Sequence, residues 1–201
     1  MPTDNAEGET IDIDDSAKYY FKEVGVEGQT SQVSTDGRQL FNINDLAATN
    51  YCTVDIEKDI MTLTTDSTNG AQFATYYSKN LDAEETYRFS FKSKKVVKGT
   101  NGIPLTRITV YGSNDDSSYT FLTYLGADSP TQGQEYEFSH DFTGYSYYRF
   151  FIYNNASTPV TLEEKTQYYD ILLRKSTETD NTWEPYTGGI PRTKSILSIS
   201  Y

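Results

Sequence analysis

The sequence predicts an all-β fold, an antiparallel sandwich of two sheets in the manner of a jelly roll. Three features point there. From residue 39 to about residue 177, short segments alternate apolar and polar side chains, the period that turns one strand face to a core and the other to water. Turn-forming residues separate these segments at the spacing of short antiparallel strands. No long stretch carries the 3.6-residue apolar stripe of an amphipathic helix.

The bulk properties agree with a folded chain and narrow its partners. Aliphatic residues are sparse among the 201, but Tyr (18) and Phe (10) are abundant. Each aromatic buries roughly 150–250 Å², so these rings supply the core that the aliphatics do not. A net charge of −12 opposes sequence-independent nucleic-acid binding and docking on anionic lipid, both of which run on Lys and Arg. Neutral ligands stay open, with neutral sugars the obvious class, and the charge also serves solubility. Cys52 is the only cysteine, which excludes an internal disulfide and a Cys/His zinc site and suits a small buried side chain. The start lacks the pattern of an export signal, and no apolar run approaches the ~20 residues of a membrane helix. Neither export nor membrane insertion is expected.

Along the chain, residues 1–17 read as an acidic flexible tail. Residues 18–38 form a β lead-in, with extended pieces near Tyr19–Val26 and Thr30–Val33 interrupted by Gly25, Gly28 and Gly37. Residues 39–180 form the sandwich, with strands expected at 39–43, 51–57, 60–66, 71–79, 86–96, 105–113, 119–126, 136–142, 147–154 and 166–175. In "YRFSFKS" Tyr87, Phe89 and Phe91 share one face, and in "TRITVYG" Ile108 and Val110 oppose Arg107, Thr109 and Tyr111. Turns fall at "KD" (58–59), "STNG" (67–70), "KGTNG" (98–102), "SNDD" (113–116) and "TQGQ" (131–134). "NDLAAT" at 44–49 and "LDAEE" at 81–85 each suggest a single helical turn. Residues 181–201 read as a Pro/Gly linker holding the lone tryptophan, Trp183.

Catalytic constellations are missing. His140, the only histidine, stands in the strand "EFSHDF" with no G-x-S-x-G elbow anywhere in the chain. Glu84-Glu85 and Glu163-Glu164 are neighbours in turn-like segments and read as solvated charge, not as the apposed carboxylates of a glycosidase. No phosphate-binding glycine loop is present. The chain is not expected to be an enzyme.

Binding is better supplied. With Tyr148, Phe150 and Ile152 inward, "YYRFFIYN" sends Tyr147, Arg149, Phe151 and Tyr153 outward, and Arg107 and Tyr111 fit the same sheet face. Aromatic faces beside hydrogen-bonding side chains suit a sugar ring. The same face also suits coverage by the lead-in segment or by another subunit.

The two ends carry a resemblance. "VGVEGQTSQVSTDGRQLFNI" (24–43) resembles the lead-in of tail and minor structural proteins of phages and prophages of Gram-positive bacteria, through Val26, Gly28, Gln32, Gly37, Leu40 and Phe41. "YYDILLRKS" (168–176), followed by "WEPYTGGIP" (183–191), is similar to the other flank in those proteins; the proline-rich continuation is absent here. The resemblance spans roughly residues 19–191, its middle only as a strand pattern, and implies a sandwich like those of carbohydrate-binding modules. Trp183 and Tyr186 would then cover the sandwich or lock the adjoining segment, with Pro185 and Pro191 stiffening the chain. A ligand contact is the alternative for these rings. The resemblance implies a non-catalytic module in the virion, made in the bacterial cytoplasm, that binds a host surface glycan and neighbouring tail or baseplate proteins as a trimer. A structural spacer of the tail tip with protein partners only is the alternative, and an adhesin fragment is a third reading. No cofactor is required. A structural Ca²⁺ between the first and last strands would draw on Asn42 and Asp170.

Overall fold

The computed structural model describes residues 29–36, 39–66, 68–157, 161–179, 186 and 192–199. Its strands are β1 (Gln29–Asp36), β2 (Leu46–Asn50), β3 (Cys52–Glu57), β4 (Ile60–Thr65), β5 (Gln72–Tyr77) and β6 (Tyr87–Val97). They continue as β7 (Pro104–Ser113), β8 (Thr120–Asp128), β9 (Glu135–Phe142), β10 (Tyr147–Asn155), β11 (Lys165–Lys175) and β12 (Arg192–Ile199). No helix occurs among the described residues.

The chain divides into two compact units, residues 1–36 with 191–201 and residues 37–190. In the first, β1 and β12 make a two-stranded antiparallel ladder running from Gln29 opposite Ile199 to Asp36 opposite Arg192. Part of the stretch read as a linker is thus a strand, paired with part of the lead-in. The second unit is an antiparallel sandwich. One sheet has the order β2-β5-β10-β7-β8, the other β3-β4-β11-β6-β9. From β4 to β11 the chain crosses repeatedly between the sheets, the jelly-roll manner of winding.

Alternation builds the core. β6 reads buried at Tyr87, Phe89 and Phe91 and half-buried between them, and β10 does the same through Tyr148, Phe150 and Ile152. The two strands meet through Phe89 and Phe150, whose ring centroids lie 4.6 Å apart, with Phe41 6.0 Å from each. Met61, Leu63, Ile108, Val110, Tyr168 and Leu173 join a core that mixes rings and aliphatic side chains. Gly112 has no side chain where Tyr145 needs the space: a Cβ there would stand 2.5 Å from the Tyr145 ring. The turn at Lys58-Asp59 has φ of 48° and 66°, the left-handed pair that a two-residue hairpin requires.

Two local expectations change. Residues 39–43 are not a strand, because the Gln39 side chain takes over the ladder. Its Oε1 accepts from the Phe41 and Leu173 amides (3.1 and 3.0 Å), and its Nε2 donates to the Ile171 carbonyl (2.5 Å). The segment "NDLAAT" is not a helical turn; it feeds β2, an edge strand paired with β5. The region Tyr19–Val26, Trp183 and the Pro185 and Pro191 positions lie outside the described residues. Tyr186 lines a small surface cleft with Gln39, Phe41, Ile43, Asp59 and Ile171.

Candidate functional site

The outer face of the β2-β5-β10-β7-β8 sheet gathers rings. In the central pair of strands, Arg149 of β10 stands opposite Tyr111 of β7, Phe151 opposite Thr109, and Tyr153 opposite Arg107. β5 adds Tyr77 beside Arg149, Thr75 beside Phe151 and Phe73 beside Tyr153. β8 adds Phe121 beside Tyr111 and Tyr124 beside Thr109. Strand spacing of about 4.8 Å and a rise of about 3.3 Å per residue make this a platform of roughly 13 by 15 Å.

Two guanidinium groups are set among the rings. Arg149 lies over Tyr111, Tyr119 and Phe151, at 4.8, 4.5 and 4.8 Å from the ring centroids. Arg107 lies over Tyr124 and Tyr153 at 5.0 and 5.5 Å, and its Nη1 donates to Asp128 at 3.1 Å. Each contact of this kind contributes about 0.5–1 kcal/mol where exposed and more where dry. The rings also hold one another: Phe73 with Phe151 (4.9 Å) and Tyr153 (5.3 Å), Tyr111 with Phe151 (5.4 Å), and Phe121 with Tyr124 (5.1 Å). From below, the buried Tyr168 hydroxyl of the other sheet reaches the Tyr153 carbonyl at 2.5 Å and the Arg107 carbonyl at 3.2 Å. The site strands are thereby fixed on both faces.

A loop closes one end of the platform. Asp115 Oδ1 accepts from the Ser118 and Ser117 amides (2.8 and 2.9 Å) and the Ser113 hydroxyl (2.8 Å), so residues 113–118 wrap around a single carboxylate. Those two amides and the hydroxyl hold the Asp115 carboxyl well below the usual range. Asp116, with φ of 56°, accepts from the Tyr119 hydroxyl. Burial, and then Asp116, push that phenol up, so it remains a hydrogen-bond donor. The result seats Tyr119 over Arg149.

Of the residues singled out from the sequence, Arg107, Tyr111, Arg149, Phe151 and Tyr153 come together here. Tyr147 is on the same strand face, opposite Ser113, but no ring contact ties it to the others among the described residues. Sequence reasoning missed Phe73, Tyr77, Tyr119, Phe121 and Tyr124. The alternation of "QFATYY" was a usable signal for Phe73 and Tyr77. That of β8 was not, because the register shifts between Val110 and Tyr111, leaving Leu122 unpaired and bringing residues three apart to one face.

The two oxygen donors considered for Ca²⁺ have other partners. Asn42 Oδ1 accepts the Asn44 amide at 3.1 Å, and Asp170, at a bulge with φ of 50°, pairs with Lys92 at 2.9 Å. No hydrogen bond or ion pair joins them, and no cluster of three His, Cys, Asp or Glu occurs among the described residues. His140 is exposed on β9, its ring 5.0 Å from Phe142. Burial pushes the Cys52 thiol up to about 12, which leaves it unreactive.

The outer face of the other sheet is charged and self-paired. Arg88 holds Asp141 through two bonds of 2.7 and 2.9 Å, Lys92 holds Asp170, and the Tyr169 hydroxyl donates to Glu135. One prediction fails nearby: Glu163 is exposed as expected, but Glu164 is fully buried against Lys95. The alternation of β6, continued past Phe91, turns Lys95 inward, where it needs an anion.

No protein-family model matches the chain, and no curated protein matches it. Among solved structures, the CBM22-1–CBM22-2 tandem domain of Paenibacillus barcinonensis Xyn10C aligns with a TM-score of 0.51 and 13% identity, over 79% of this chain and 52% of that one. The chain thus spans about half the length of that protein. The xylan-binding CBM22-2 domain alone aligns at 0.48 and 12%, over 73% of this chain and 99% of that chain. The enzymatically active domain of bacteriophage CBA120 tailspike protein 4 aligns at 0.44 and 11%, over 74% and 19%. The tandem domain shares the sandwich fold.

Proposed function

We propose that the chain is a non-catalytic carbohydrate-binding module of a phage tail or baseplate, and that the outer face of the β2-β5-β10-β7-β8 sheet holds a host surface glycan. The observation that carries this reading is the platform of rings around Arg149 and Arg107, where Tyr77, Phe121 and Tyr124 are exposed beside the two guanidinium groups. A sugar ring presents the complement, an apolar side edged by hydroxyl acceptors. The tandem CBM22 domain bears the name of a carbohydrate-binding module, and its fold agrees with the reading. The tail setting rests on the resemblance of residues 24–43 and 168–191. Virion localisation and trimeric display follow from that setting. In a trimer a shallow site gains strength by avidity.

One observation favours a second reading, a tail-tip spacer with protein partners. Phe121 and Tyr124 are 47% and 58% exposed on the edge strand β8, as an assembly surface would leave them. Binding of the full chain to an array of bacterial surface glycans separates the two, with Phe151→Ala, Tyr153→Ala and Tyr124→Ala checked for folding by circular dichroism. Selective binding that folded variants lose supports the module. If no glycan binds, either to the monomer or to a trimeric display, the spacer reading takes its place.

A further inference from the structure

At one end of the core, five polar side chains meet with no exposure to water: Lys95 of β6, Asn154 and Asn155 of β10, Glu164 and Thr166. Lys95 Nζ stands 2.8 Å from Asn154 Oδ1, 2.6 Å from the Asn154 carbonyl, 2.9 Å from Thr166 Oγ1 and 2.6 Å from Glu164 Oε1. The Asn154 amide is fixed on both sides. Its Oδ1 also accepts from the Thr166 hydroxyl at 2.6 Å, and its Nδ2 donates to Thr65 Oγ1 (2.8 Å) and the Glu164 carbonyl (3.0 Å). Glu164 is fixed as well, with Oε2 accepting from Asn155 Nδ2 at 3.0 Å. Gly99 lies against it, where a Cβ would approach Oε2 to 2.8 Å.

A buried ion pair by itself adds little stability compared with apolar residues of the same volume. This one sets an amine against a carboxamide with an acid beside them. We propose that Lys95, Asn154 and Glu164 form a self-modification site that joins the Lys95 and Asn154 side chains through an amide bond, releasing ammonia. Glu164 takes a proton from the Lys95 ammonium, leaving a neutral amine beside the Asn154 carboxamide, whose Oδ1 is 2.8 Å away. Nζ attacks Cγ of Asn154, forming the new C–N bond. The Thr166 hydroxyl supports the negative charge gathering on Oδ1. Glu164 gives its proton to Nδ2 and receives one from Nζ, the Cγ–Nδ2 bond breaks, and NH₃ leaves. No oxidant or other reactant is needed.

The surroundings favour the first step. Burial lowers the Lys95 amine to about 8, against the opposing pull of Glu164, so the nucleophilic form is accessible near neutral pH. Fixed geometry supplies the proximity that an intermolecular reaction lacks. The product would tie the two sheets together across 59 residues of chain, a restraint on unfolding of the kind a disulfide supplies. A chain with a single cysteine cannot form an internal disulfide.

Intact-mass spectrometry and peptide mapping of the purified full chain test this. Expected is a mass about 17 Da below that of the unmodified chain, one ammonia, with the Lys95 and Asn154 peptides recovered joined. Glu164→Gln, verified as folded by circular dichroism, is expected to keep its full mass and separate peptides. Joined peptides in any fraction of the wild-type protein support the site, whether or not the variant folds. Full mass in the folded wild-type protein overturns it, as does a deficit that maps to a ring-closed asparagine without a cross-link.

Discussion

Arg149 is the side chain on which the candidate face turns. Three rings surround its guanidinium, and no carboxylate pairs with it among the described residues. The planar group is needed for this contact, so Arg149→Lys is expected to weaken glycan binding by about tenfold or more while leaving the fold intact. Isothermal titration with whichever glycan the array selects measures the loss. Tyr153 has a double duty, since its ring belongs to the face and its carbonyl receives the Tyr168 hydroxyl from the opposite sheet. A ring-only change such as Tyr153→Leu therefore reports on the face more cleanly than a backbone-altering one.

At the scale of the element, β8 and the loop before it shape the site. Gly126 has φ of 147°, and a Cβ there would stand 2.2 Å from the Thr106 carbonyl oxygen. Gly126→Ala is expected to cost more than about 2 kcal/mol, through both the conformation and the clash, as read from urea unfolding. The loop at 113–118 depends on one ionised carboxylate. Because hydrogen bonds depress the Asp115 pKa, its contribution is present above the ordinary carboxylate range and is lost as pH falls through the depressed value. The Ser117 and Ser118 amide signals are thus expected to stay constant through mild acid and to shift only at strongly acid pH in an NMR titration. Asp115→Ala should loosen Tyr119 at every pH and weaken binding.

The sandwich unit as a whole is two-sided. One outer face presents rings and the other paired charges, with a core of rings and aliphatic side chains between them. Replacing Arg88 or Lys92 with Ala, both partly exposed, is expected to alter stability by less than about 0.5 kcal/mol and to leave glycan binding unchanged. Phe89→Ala, in contrast, empties the centre where Phe41, Phe91 and Phe150 meet, and should cost about 3–5 kcal/mol in denaturant unfolding.

What the sequence determined by itself is the part that depends on period and composition. Alternation placed nearly every strand of the sandwich and put Arg149, Phe151 and Tyr153 on one outer face with Arg107 and Tyr111, because a pleated strand sends every second side chain the same way. The tertiary structure decided what depends on register and on partners distant in the chain. A bulge in β8 brought Phe121 and Tyr124 together against the period of two. The Gln39 side chain displaced an expected strand. Lys95, Asn154 and Glu164, on three separate segments, became neighbours only when the sheets closed over them. Local pattern reveals which way a side chain points; what it meets there is set by the packing of the two sheets.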